Sequence, residues 1–185
     1  EADVGIMEDV DWTMALMHPR EVAIKSRLRL VQLKILHHSY YDRARLHRMG
    51  RAPHTGCHHV LVGFYHTLWE YPMVHDYYTK VLRELNNVLA VNIPLDPRYV
   101  LLEIHTDIDL PRHRLLFSNL ALMVAKRDIA RRWGAQECPT IEAWRRGMDM
   151  YMAAKRVTYR SRGCPWKFTK VWGPWIAYYG FALLE

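Results

Sequence analysis

Ile24, Leu28, Val31 and Ile35 recur at the i, i+4, i+7, i+11 spacing of one helix face, and a similar period returns in most apolar stretches of the chain. A chain patterned this way hides its apolar surface by packing helix on helix rather than by pairing strands. Pro19 stands where a first helical turn tolerates proline, at the head of "PREVAIKSRLRLVQLKILHHSYY". "DRARLHR" reads as a short helix stopped at Gly50, and residues 51–58 as a loop around Pro53 and Gly56. "VGFYHTLWEY" resumes the helical pattern, and Pro72 starts another helix. Its buried stripe is Val74, Tyr77 or Tyr78, Val81, Leu85, and Val88 or Leu89.

"PRHRLLFSNLALMVAKRDIARRW" predicts a long helix with Leu116, Leu120 and Met123 facing inward. "PTIEAWRRGMDMYMAAKRVTYRSRG" predicts the next, with Thr140 as N-cap and Glu142 in the first turn. Ile141, Trp144, Met148 and Tyr151 or Met152 form its inner face. The last helix, "FTKVWGPWIAYYG", is expected to break or kink near Gly173-Pro174. Between the connector "NIPLDP" and the long helix, "RYVLLEIH" is the one segment whose pattern allows a short strand. The expected fold is all-α, an irregular multi-helix domain whose core includes Leu28, Ile35, Leu116, Leu120 and Trp144.

With 185 residues the chain is long enough for one domain with a sizeable core, or for two small subdomains. No apolar run approaches the roughly 20 residues that cross a bilayer, so no membrane partner is expected. The opening "EADVGIMEDVDW" lacks the order of a signal peptide, and the absence of a starting Met points to a fragment of a longer protein. Three widely spaced cysteines, Cys57, Cys138 and Cys164, fit a reducing compartment better than a disulfide framework.

Charge is distributed in blocks. Residues 1–19 carry five acids and no Lys or Arg, whereas residues 20–51 carry nine basic side chains against two acids. Residues 52–125 are close to neutral, and residues 126–170 hold twelve basic side chains against four acids. Two basic blocks around a neutral middle suit a polyanion, with nucleic acid as first candidate. A solvated basic face without a partner is the plainer reading. Chemistry separates them in the second block, where Lys155, Arg156, Arg160, Arg162, Lys167 and Lys170 interleave with Tyr159, Trp166, Phe168 and Trp172. Cations neutralise phosphates while aromatic faces stack on unpaired bases, a pairing suited to single strands. Trp172 and Trp175, three apart on an apolar helix, read as core; Trp166, beside Pro165 in a loop, reads as a ligand contact. The candidate contacts are Arg27, Lys34, Arg156, Arg160, Arg162, Trp166, Lys167 and Lys170.

Three stretches, "RLRLVQLKILHHSYYDRARLHRMG", "GCHHVLVGFYHTLWEYP" and "VTYRSRGCPWKFTKVWGPWIAYYG", together resemble the C-terminal region of non-LTR (LINE-type) retrotransposon reverse transcriptases, downstream of the polymerase. The expected organisation is an acidic N-terminal lead-in over residues 1–18, read from its charge, a helical C-terminal domain of a retrotransposon-type reverse transcriptase over 19–180, which the resemblance implies, and a tail over 181–185. The resemblance also implies RNA or target DNA as partner, a polymerase upstream, and an intracellular location, cytoplasmic and nuclear. In that family the middle stretch is a zinc knuckle, Cys-x2-Cys-x8-His-x4-Cys. Here Cys57 matches the second cysteine and His66 the histidine, while His54 and Tyr71 replace the outer cysteines. Segment 53–72 is therefore a degenerate knuckle-like loop. His54, Cys57 and His66 keep donor chemistry, and Glu70, four residues after His66, is the best fourth ligand; His58, His59 and His75 are alternatives. Tyrosine is a poor donor at neutral pH, so the expected zinc is weakly held or lost.

No catalytic residue is assigned. The chain has no H-E-x-x-H, no P-loop, no Ser/His/Asp wording and no Asp-Asp dipeptide. The leading expectation is a non-catalytic nucleic-acid-binding segment. Its rivals are a repurposed protein-interaction or structural domain and, more remotely, a zinc-dependent hydrolase using an open three-ligand site.

Overall fold

The computed structural model describes residues 12–13, 15–17, 26–41, 43–51, 63–104, 108–133 and 137–180. Among these residues the chain is all-α, without a strand. Seven helices are α1 (Ser26–Leu36), α2 (Arg43–Arg48), α3 (Pro72–Leu89), α4 (Pro97–Leu102), α5 (Arg112–Arg131), α6 (Ile141–Ser161) and α7 (Pro165–Tyr179). A π-helical turn, His66–Glu70, precedes α3. Of the knuckle-like segment expected over residues 53–72, residues 53–62 lie outside the described residues, and the described remainder includes the π-helical turn and the first residue of α3.

Helix α5 is the hub, packing against α1, α3, α4, α6 and α7. Every residue from Phe117 to Lys126 is buried, so this helix has no solvent face along its middle. The expected single inner stripe is therefore too narrow, and Leu116, placed in the core from sequence, is only half-buried. Polar residues on such a helix need partners, because an unpaired polar group out of water is costly. Ser118 bonds the Tyr99 hydroxyl of α4, and Lys126 pairs with Glu103, the residue that ends α4. Gln32 of α1 donates to the carbonyl of Leu101 at 2.8 Å, and Lys126 donates to the same carbonyl at 3.3 Å. That shared acceptor ties α1, α4 and α5 together.

"RYVLLEIH" is helical, not a strand, over its first half. Asp96 caps it by accepting from the Arg98 N–H at 2.7 Å, and Pro97 supplies the fixed φ of a first turn. The cap lies in what reads from sequence as a connector. Thr140 caps α6 as expected, accepting from Ala143 N–H at 3.2 Å. Trp144, Met148 and Tyr151 are buried on its inner face, with Ile141 and Met152 half-buried. Both Tyr77 and Tyr78, and both Val88 and Leu89, are buried in α3.

The C-terminal hairpin of α6 and α7 closes the core with aromatic rings. Trp144 and Trp175 meet edge to face with centroids 5.6 Å apart, and Phe117 meets Trp172 at 5.2 Å. Trp175 also donates to Asp149 at 3.0 Å. Helix α7 begins at Pro165 and continues through Pro174, so of the expected break or kink near Gly173-Pro174 the break does not occur. Proline removes the N–H that the Lys170 carbonyl would receive, yet the helix is continuous, with Val171, Trp172, Trp175 and Ile176 buried on either side of Pro174. Gly147 allows α6 to approach α5 closely: a Cβ there would sit 2.9 Å from Val124.

Candidate nucleic-acid interface

The turn from α6 to α7 decides where the last basic block faces. Gly163 adopts φ +66, the left-handed conformation that glycine reaches without strain. Its N–H bonds the Arg160 carbonyl at 3.0 Å, and the Cys164 N–H bonds the Tyr159 carbonyl at 3.0 Å. These two bonds form a Schellman motif, which satisfies the carbonyls at the end of α6. Pro165 then starts α7 at once, with Cys164 half-buried at the N-cap position. The turn is short and fixed at both ends.

Trp166 belongs to the first turn of α7 rather than to a loop, and it is 62% exposed. The Lys167 ammonium lies 5.3 Å from its ring centroid. Arg160, Arg162, Lys167 and Lys170 are all exposed, so this part of the expected site is gathered on one end of the hairpin. The other aromatics of the interleaved stretch have different roles. Phe168 is buried between Tyr159 at 6.5 Å and Trp172 at 6.3 Å, and Trp172 is fully buried. Tyr159 is half-buried, as is Arg156. Trp166 is thus the exposed indole of the set.

The basic block 126–170 is not one face. Lys126 is fully buried, Arg127 bonds Asp128 at 2.7 Å, and Arg145 forks onto Glu84 of α3 at 2.6 and 2.5 Å. Lys126 and Arg145 thereby join helices, and Arg127 does so through the Tyr151 hydroxyl of α6 at 3.4 Å. In the first block, Arg27 and Lys34 are exposed on α1, and the Lys34 ammonium stands 5.5 Å over the Tyr40 ring.

Electrostatics links three further groups to this region of the surface. Burial, and then the positive fields of Arg162 and Arg29, push the half-buried Lys155 ammonium down to about 8. Arg29 belongs to α1 and Lys155 to α6, so Lys155 lies within the electrostatic reach of the first basic block. At the other flank, partial burial followed by Lys170 and Arg114 holds the His113 imidazolium below its ordinary range. Arg29, Lys155 and His113 are near no common stretch of sequence, and no local pattern marks them as neighbours.

Of the expected metal ligands, His54 and Cys57 lie outside the described residues, as do His58 and His59. His66 and Glu70 do share a face: Nδ1 of His66 and Oε2 of Glu70 are 3.2 Å apart. This contact occupies the carboxylate with the imidazole, the arrangement of an orienting partner rather than of a second ligand. Tyr71 lies edge-on to His66 with centroids 6.4 Å apart, and His75 packs against Trp69 at 5.5 Å. Among the described residues, no group of three or more His, Cys, Asp or Glu could hold a metal ion. Two donors do not make a structural zinc site, so zinc stays an implication of the resemblance. None of the described helices is long and apolar enough to cross a membrane.

No family model, curated protein or solved structure matches the chain.

Proposed function

We propose that this chain is a non-catalytic module that binds single-stranded nucleic acid through the α6–α7 turn. One observation carries the reading: Trp166 presents an exposed indole amid the exposed cations Arg160, Arg162 and Lys167. Cations neutralise phosphates, and an exposed indole beside them stacks on an unpaired base, which a duplex does not offer. In the setting that the resemblance implies, the strand is element RNA or target DNA held beside a polymerase upstream in a LINE-type reverse transcriptase.

The test is fluorescence anisotropy with single-stranded RNA and DNA across a salt series. Log affinity should fall linearly with log salt, and neutralising Arg160, Arg162, Lys167 and Lys170 should lower the slope by about 0.7 per lost contact. Trp166→Ala should weaken binding by about 1–3 kcal/mol with little change in slope. Absence of binding at low salt overturns the reading.

A second reading, a protein-interaction domain, has its own observation. Met150 and Val157, seven residues apart on α6, are 62% and 69% exposed. A partner held there would bind with little dependence on salt.

A further inference from the structure

Helix α6 buries one side in the core and leaves the opposite side bare. Trp144, Met148 and Tyr151 are buried on the inner side. Arg146, Met150, Ala153, Val157 and Arg160 follow the alternating four- and three-residue spacing of a single seam, and all five are exposed. At about 100° per residue they fall within an arc of about 80°, opposite the buried side, and they span about 21 Å of helix. Met150 and Val157 are 62% and 69% exposed. Ala153, between them, is small enough to leave room for a knob from a facing helix. The outer face of α6 is thus an apolar stripe with a guanidinium at each end.

We propose that this stripe docks an amphipathic helix of another protein, apolar in its middle and acidic about two turns to either side. Met, Ala and Val offer no ring on which a base could stack, so the stripe is not an extension of the nucleic-acid surface. A second copy of the chain fits poorly. Antiparallel pairing that sets Met150 against Val157 also sets Arg146 against Arg160, and parallel pairing sets each arginine against itself. Like charges meet in both cases, whereas carboxylates at those two places pair with both. Glu142, one turn before Arg146, and Asp149, which accepts from Trp175, border the first half of the stripe. From Met150 to Leu184 the chain has no Asp or Glu, and the half-buried Arg156 adds to Arg160 at the second half. The Arg160 end is therefore the stronger anchor for an acid. Apolar contact carries the affinity and charge chooses the partner, which keeps the salt dependence shallow. This names the partner for the protein-interaction reading above and does not depend on a strand at the turn.

Stapled helical peptides of about 18 residues are long enough to span the stripe and serve as probes. One carries Leu along a single face with Glu at both ends, the next has Lys in place of the Glu, and the last has the first composition with Leu scattered around the helix. Fluorescence anisotropy with the unmodified protein, in the absence of nucleic acid, should place the Glu peptide about tenfold above the Lys peptide, and the scattered peptide below both. The double variant Arg146→Gln, Arg160→Gln should bring the Glu and Lys peptides within about threefold of each other. The double variant Met150→Gln, Val157→Gln should weaken the Glu peptide by at least about tenfold. Both of those side chains are exposed, so its helical circular dichroism and its single-strand binding should stay those of the parent. Photocrosslinking from Val157→p-benzoylphenylalanine should capture the Glu peptide.

Equal binding of the Glu and Lys peptides by the unmodified protein overturns the acidic partner while the apolar surface stands. Crosslinks from position 157 to a second copy of the chain, or to its own acidic residues 1–11, in place of the peptide overturn it as well, because the stripe is then already covered. If the Glu peptide does not bind, or binds equally well after Met150→Gln, Val157→Gln, the surface itself fails. None of these results touches the α6–α7 turn, whose failure is read from strand binding alone.

Discussion

Lys126 and Glu103 form an ion pair of 2.8 Å with both side chains wholly excluded from solvent. The pair joins the middle of α5 to the residue that ends α4, where Glu103 takes a left-handed φ of +61. Burying two charges forfeits their hydration, and their attraction offsets this only while both are present. Lys126→Met alone should therefore cost about 3–5 kcal/mol in urea unfolding followed by circular dichroism. The double variant Lys126→Met, Glu103→Leu should recover most of that loss. A single variant as stable as the parent would show that the charge is not isolated from water.

Lys155 gives a pH signature with a definite sign. Its ammonium titrates at about 8 in the folded protein, against the ordinary lysine value of 10.5. Between these values the unfolded chain binds more protons than the folded one, so stability rises as pH rises. The contribution is complete above 10.5 and is lost as pH falls to about 8. Lys155→Met should remove this rise from the stability profile. Arg29→Gln should move the Lys155 titration, read by NMR at the ε-carbon, back toward 10.5; an unmoved titration would mean that Arg29 is not its neighbour.

Gly163→Ala should cost about 1–2 kcal/mol, because alanine at φ +66 brings Cβ against the following carbonyl. Asparagine, which tolerates this conformation better, should lose less. Thermal melting ranks the three proteins. Equal melting temperatures would show that the turn relaxes to another geometry.

Tyr71→Cys should strengthen zinc binding, because a thiolate supplies a strong donor where the phenol is weak. Tyr71 is half-buried at the N-cap of α3, a position that accepts the smaller side chain. Chelator should leave the helical circular dichroism of the unmodified protein nearly unchanged. Stoichiometric zinc surviving dialysis against chelator in that protein would overturn both expectations.

Leu120→Ala should cost about 2–5 kcal/mol, as truncation of a buried leucine does. Leu116→Ala should cost clearly less, since Leu116 is half-buried at the near end of the same helix. Denaturant midpoints separate the two, and equal losses would contradict the burial difference.

That contrast shows where the sequence is legible. Helical period identifies α1, α3, α5 and α6, and the caps at Thr140 and Gly163 are written locally. The burial of α5 on all sides is not, because it depends on Glu103 and Tyr99 reaching its polar groups from elsewhere in the chain. The short α4 resembles a strand in sequence because eight residues give too little period to separate the two, and its Asp96 cap lies outside them. In the candidate site the turn bearing Arg160, Arg162, Trp166 and Lys167 follows from neighbouring residues. The influence of Arg29 on Lys155 does not, because the two are more than a hundred positions apart and their helices are related through α5. Nor does sequence distinguish Lys126, which points inward, from Lys170, which points out.

The dependence of α1 on α5 also sets an order of events during synthesis. Leu28 and Ile35 are buried, and the carbonyl that holds α1 through Gln32 lies 69 residues later in the chain. Helix α5 ends still later, at Arg131. At about 5–20 residues per second, a ribosome leaves the apolar face of α1 without its seat for roughly 5–20 seconds. Over that interval a nascent chain exposes a basic, leucine-bearing helix, a form that chaperones recognise and neighbouring nascent chains can capture.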